Sequence, residues 1–129
     1  MTNVLNVLLK AKQYLEQFGW RRDDYGNPQT GFCLTGAIRA AVDVTDDRVT
    51  NLPPILMDAY AAFSKPLRNR GVNVYRYTAN LPKKVLTEKQ LSLYREDFAD
   101  EGDIIEWNDK VNKEDAMQLI DEAIKEVTV

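Results

Sequence analysis

The sequence predicts a mainly α fold: a compact orthogonal bundle of about five helices, with one short extended or β segment near residues 72–77 or 104–107. Three observations carry that expectation. Within the stretch Gly31 to Ala41, the residues Cys33, Leu34, Ala37, Ile38 and Ala41 recur at helical spacing. Thr87 and Gln90 fit a capping box, with Leu86 and Leu91 as the hydrophobic staple around it. Ala116, Leu119, Ile120, Ala123, Ile124 and Val127 give the last stretch one apolar face.

Taken in order, Thr2 or Asn3 caps a first helix that runs to about Phe18, with Leu5, Leu8, Leu9, Leu15 and Phe18 facing inward. Gly19 stops it, and Trp20 has a packing role folded back over Leu15. Residues 21–30 read as a polar loop, because Asp23-Asp24 and Tyr25-Gly26-Asn27-Pro28 are turn formers. Gly31 allows a sharp entry to the central helix, where Gly36 and Ala40 are small enough for another helix to approach closely. Asp43, Asp46 and Asp47 form a solvated turn, without the roughly twelve-residue spacing and final Glu of a calcium loop.

Asn51-Leu52-Pro53-Pro54 suits a helix start, and Leu56, Tyr60, Phe63 and Leu67 form its inward stripe. Pro66 ends or kinks that helix near Lys65. Val72 to Tyr77 reads as extended, and the helix opened by Thr87 continues to Phe98 and stops by Gly102. Ile104, Ile105 and Trp107 form a short buried segment before the Asn108-Asp109 turn. Asn112 then caps the last helix, with Asp115 near its N3 amide.

The 129 residues fit a single helical domain spanning 1–129, large enough to bury its own core. Hydrophobic residues make up 44% and charged residues 29%, which disfavours disorder. A formal charge of −3 gives no support to a nucleic-acid surface, so a nucleic-acid partner is not expected. No apolar run is long enough to span a bilayer, and Met1 to Lys10 lack the basic lead of a secretory signal. One cysteine and no histidine exclude an internal disulfide and the familiar Cys/His zinc patterns, so no metal and no cofactor is expected and the cytoplasm is the simplest compartment.

Chemistry-bearing residues are few. Cys33 is the one soft nucleophile; it lies near a helix start, where a thiol can be acidified, yet flanking Phe32 and Leu34 favour burial. Trp107-Asn108-Asp109 is the most unusual polar-aromatic cluster, explained either as an Asx turn into the last helix or as the lining of a cleft with Arg39 or Trp20. Tyr75, Arg76 and Tyr77, with Arg68 and Arg70, form an aromatic-basic group whose simpler role is to close the core. No phosphate-binding glycine loop occurs.

The pattern Gly19-Trp20, Gly31, Cys33, Gly36-Ala37, Ala40, Trp107-Asn108-Asp109 and Ala123 resembles a family of small uncharacterised proteins found in bacteria and their phages. The resemblance implies that the central helix and the Trp-Asn-Asp turn meet, and that the setting is a phage or its host. It brings no activity with it. Gly19, Trp20, Gly31, Gly36, Ala37 and Ala40 are assigned structural roles, and Cys33, Arg39, Trp107, Asn108 and Asp109 form the candidate pocket. The expected function is that of a noncatalytic protein-binding or regulatory protein, with a protein partner or a second copy of itself. The alternative is a small-molecule-binding protein or minor enzyme that uses the candidate pocket.

Overall fold

A computed structural model describes residues 3–44, 53–72, 74, 76, 77, 95, 96 and 99–128. The fold is mainly helical. Among the described residues five helices have eight residues or more: α1 Val4–Phe18, α2 Leu34–Ala41, α3 Pro54–Ala61, α5 Glu101–Asn108 and α6 Lys113–Val127. A five-residue helix, α4 Ser64–Arg68, follows α3 after a two-residue turn. Among the described residues there are also two small antiparallel pairs, β1 Gly26–Asn27 with β2 Gly31–Phe32, and β3 Arg76–Tyr77 with β4 Arg95–Glu96.

α2 is the element the others surround. It contacts α1, α3, α5 and β2, and all its residues except Ala40 are buried. Eight residues are too few for a helix to persist in water, where about 12–15 are needed, so burial holds it. Leu34 and Ile38 are completely buried, and such side chains contribute about 1.5–3 kcal/mol each.

The local signals at the chain's ends act as the sequence expects. Asn3 accepts the Asn6 amide at 2.9 Å, and Asn112 accepts the Asp115 amide at 2.9 Å, capping α1 and α6. Gly19 closes α1 through its amide to the Leu15 carbonyl. The inward face of α1 is Val7, Leu8, Ala11 and Leu15, whereas Leu9 stands 43% exposed. The stripe Leu56, Tyr60, Phe63 and Leu67 is fully buried.

The expectations for the central helix, the loop before it and the segment that leads to Asn108 are corrected. The central helix starts at Leu34 rather than Gly31, because Gly31 and Phe32 pair with the preceding residues: Gly26 lies opposite Phe32 and Asn27 opposite Gly31. The stretch read as a plain loop is therefore half of a hairpin, and the chain leaving α1 runs beside β2 through a Trp20–Phe32 bridge. Residues 104–107 are helical, not extended. Asp100 and Asp103 exchange side-chain-to-amide bonds of 2.9 and 3.0 Å, so a capping box opens α5 where the sequence predicts a stop at Gly102.

The chain break falls at Ala62-Phe63 rather than at Lys65, which puts Pro66 in the first turn of α4, where its missing amide has no helical partner to lose. Ser64 at the break accepts the Ala99 amide at 2.7 Å and donates to the Ala61 carbonyl at 2.6 Å. The extended reading of 72–77 is met at Arg76–Tyr77, whose partner is Arg95–Glu96. A helix reaching Phe98 is thereby excluded at 95 and 96, while the capping box at Thr87 and Gln90 lies outside the described residues. No helix among the described residues is long and apolar enough to cross a membrane.

Candidate functional site

Asn108 is the last residue of α5 and has no exposure to solvent. Its Oδ1 accepts the Trp20 indole N–H at 2.7 Å and the Leu34 amide at 3.2 Å. Its Nδ2 donates to the Arg21 carbonyl at 3.1 Å and to Asp109 Oδ1 at 3.2 Å. One side chain thus joins the exit of α1, the start of α2 and the end of α5, with both acceptor positions and both donor hydrogens in use. Asp109 extends the joint by accepting the Asp23 amide at 2.9 Å, where Asp23 turns with φ 76°. The central helix and the Trp-Asn-Asp turn do meet, through the Leu34 amide.

Trp107 departs from its neighbours. It lies against Arg70, whose guanidinium is 5.7 Å from the indole centroid and is paired with Glu122 of α6. Trp107 therefore belongs to the α4–α6 side, and it lines neither the hollow beside Cys33 nor the one beside Arg39.

Cys33 is the N-cap of α2, 4% exposed, with Sγ accepting the Gly36 amide at 3.2 Å and lying 3.2 Å from Thr35 Oγ1. Burial pushes its thiol up, outweighing the hydrogen bonds that favour the thiolate. A helix start that would acidify an exposed thiol here holds a buried, protonated one. Cys33 and Asp109 line one hollow of about 310 Å³ with Asp23, Asp24, Tyr25 and Ile105. Among the described residues no three His, Cys, Asp or Glu side chains are placed to hold a metal ion.

Arg39 is 5% exposed on the last turn of α2, and its partner is Glu101, the first residue of α5. Nε and Nη2 donate to the two carboxylate oxygens at 2.7 and 2.8 Å. Tyr60 donates to Glu101 Oε2 at 2.5 Å and Tyr25 to Oε1, so one carboxylate gathers α2, α3 and the hairpin. The guanidinium also lies 4.5 Å from the Tyr25 ring centroid. Burial alone would raise the Glu101 carboxyl, but Arg39 and the two hydroxyls hold it below the usual carboxylate range. Burial and then Glu101 push the Tyr25 hydroxyl up to about 12 and drive that of Tyr60 upward as well. Arg39 Nη1 is buried without a hydrogen-bond partner.

Beside this pair lies a second hollow of about 350 Å³. Tyr14, Phe18 and Phe32 wall it, their ring centroids 5.8 to 6.1 Å apart in tilted, stacked and edge-on contacts. Gly36, Ala40 and Arg39 supply the α2 side, and Asn27, Pro28 and Asp43 are among the remaining lining residues. Gly36 also explains how the hairpin seats on α2: a Cβ there would lie 1.9 Å from the Tyr25 carbonyl oxygen. At Gly36 the close neighbour is thus a loop backbone. Ala37 is fully buried, and Gly31 holds φ 87° with the Gly19 carbonyl close behind it.

The five candidate pocket residues therefore divide three ways. Cys33 and Asp109 share a hollow above the Asn108 joint, Arg39 faces the aromatic hollow, and Trp107 lies elsewhere. Glu101, Tyr25, Tyr60, Tyr14 and Phe32 join these sites without being among the site residues that the sequence singles out. Tyr14 and Phe18 were legible as an i, i+4 aromatic pair on α1, and Arg39 within an apolar run signalled a buried cation in need of a carboxylate.

The chain belongs to a family of unknown function, DUF6197, whose family model matches residues 1–126. No curated protein and no solved structure matches it.

Proposed function

We propose that this member of DUF6197 is a noncatalytic protein-binding or regulatory protein, acting in the cytoplasm of a phage's bacterial host. One observation carries the noncatalytic reading: the side chains that look chemical in the sequence are consumed by the fold. Asn108 has its hydrogen-bonding capacity filled, Arg39 is committed to Glu101, and Cys33 is buried with its thiol pushed up. A nucleophile or general base needs the opposite, an accessible group with a pKa moved toward neutrality. The resemblance to bacterial and phage proteins supports the setting, and a prepacked helical surface suits a macromolecular partner. Immobilised full-length protein exposed to bacterial host extract, with mass identification of what is retained, tests this. The expected result is the same protein retained in every repeat and lost when the bait is heat-unfolded; reproducible failure to retain any macromolecule overturns it.

A second reading, a thiol-dependent enzyme, is favoured only by Cys33 and Asp109 lining one hollow. Thiol labelling separates the two. Slow labelling in the native protein that becomes fast on unfolding removes Cys33 from catalysis, whereas rapid native labelling supports the enzyme.

A further inference from the structure

We propose that the aromatic hollow between α1, α2 and the hairpin is a binding site for a small, flat, uncharged ring bearing a carbonyl oxygen, with Arg39 Nη1 as the donor that meets that oxygen. The walls set the shape. Tyr14, Phe18 and Phe32 present ring faces and edges around about 350 Å³, a volume suited to a small ligand and lined mainly by apolar groups.

The polar end sets the chemistry. Arg39 lines the hollow and Glu101 is not among its lining residues; the carboxylate takes Nε and Nη2, so Nη1 is the guanidinium nitrogen outside that pairing. A buried donor without an acceptor is rare and costly, so a ligand that supplies one gains what the protein alone forgoes. The charge balance then selects a neutral acceptor. Arg39 and Glu101 already neutralise each other and Asp43 adds a carboxylate to the lining, so an anion gains no net attraction, while an ammonium has no lone pair to accept a hydrogen bond from Nη1. Because Nη1 has no solvent contact, engagement requires a small shift of the guanidinium or of the Tyr25 ring beside it, and that shift is a readout.

The inference holds with or without a protein partner, and its test uses none. Isotope-labelled full-length protein is titrated with benzamide, toluene, benzoate and benzylamine while amide and arginine Nε resonances are followed by NMR. Benzamide is expected to shift Gly36, Ala40 and Arg39 Nε, and to bind about 5-fold tighter than the other three. Equal binding of toluene, preference for benzoate or benzylamine, or no shift in the hollow with any probe each overturns the proposal. Ala40→Phe, at a half-buried lining position, is expected to abolish the benzamide shifts with the melting transition retained; unchanged benzamide affinity in that folded variant also overturns it. The wild-type titration decides the matter if the variant does not fold.

Discussion

Trp20 and Asn108, 88 positions apart, meet at 2.7 Å, the indole N–H donating to the amide oxygen. The contact converts the end of α1 and the end of α5 into one joint, and the same oxygen fixes the first amide of α2. A few buried polar side chains, each with several partners, thus set how the helices meet, while the apolar core supplies the driving force. The arrangement makes the molecule sensitive at those few points.

Asn108→Ala is the most direct test of the joint. It strands the buried Leu34 amide together with the half-buried Trp20 indole N–H and Arg21 carbonyl, and an unsatisfied buried group costs about 1–3 kcal/mol. A loss of about 3 kcal/mol in urea unfolding is expected. A loss below about 1 kcal/mol would show that water repairs the joint and that Asn108 is not its centre.

Glu101→Gln keeps the shape of the carboxylate but leaves Arg39 as a buried cation without its counter-charge. Breaking such a pair from one side typically costs about 3 kcal/mol or more. Adding Arg39→Met in the same chain should recover part of that loss, because the uncompensated charge is then gone. If the two substitutions prove additive in denaturant titrations, the pair is not coupled.

The same cluster bounds stability at both ends of the pH scale. Glu101 titrates below its ordinary 4.5 when folded, so the unfolded chain takes up the proton first; the contribution is complete above about pH 4.5 and is lost as pH falls through the folded value. The tyrosines act in the opposite direction. Tyr25 and Tyr60 ionise near 10.0 when unfolded and later when folded, so their contribution is complete below about pH 10 and declines as pH rises toward about 12. Urea midpoints measured across pH should fall at both limits, and Glu101→Gln should flatten the acid side. Tyrosinate absorbance should show the Tyr25 and Tyr60 hydroxyls titrating late in the folded protein.

What was legible in the sequence was local. The caps of α1 and α6 use side chains three positions from the amides they bind, so they can be read from a short window. The start of α2 could not be, because Gly31 and Phe32 continue the apolar run while their pairing residues sit in the preceding loop, and Cys33 is not among the favoured caps. The box that opens α5 is built from two aspartates instead of the usual Ser or Thr with Glu, so Gly102 read as an end. Trp107, Asn108 and Asp109 looked like one cluster, yet at a helix end successive side chains point about 100° apart. They reach Arg70, Trp20 and the Asp23 amide respectively. Arg39 announced a need for a carboxylate but not which one, since its partner lies 62 positions away among 20 acidic residues.

Gly36→Ala probes how the hairpin is seated. The glycine is helical, where alanine would ordinarily be favoured by up to about 1 kcal/mol, so propensity alone forecasts stabilisation. Packing forecasts the reverse, because the added methyl would meet the Tyr25 carbonyl oxygen at 1.9 Å, and backbone rather than a flexible side-chain end has to move. Overpacking of this kind costs about 1–3 kcal/mol, which outweighs the gain. The displaced residue is also the one whose hydroxyl binds Glu101 and whose ring lies beside Arg39. The variant should therefore unfold at lower denaturant and release the Tyr25 hydroxyl to titrate nearer 10.0. A Gly36→Ala protein as stable as the parent, with Tyr25 still titrating late, would mean that the hairpin does not rest on α2 at this residue.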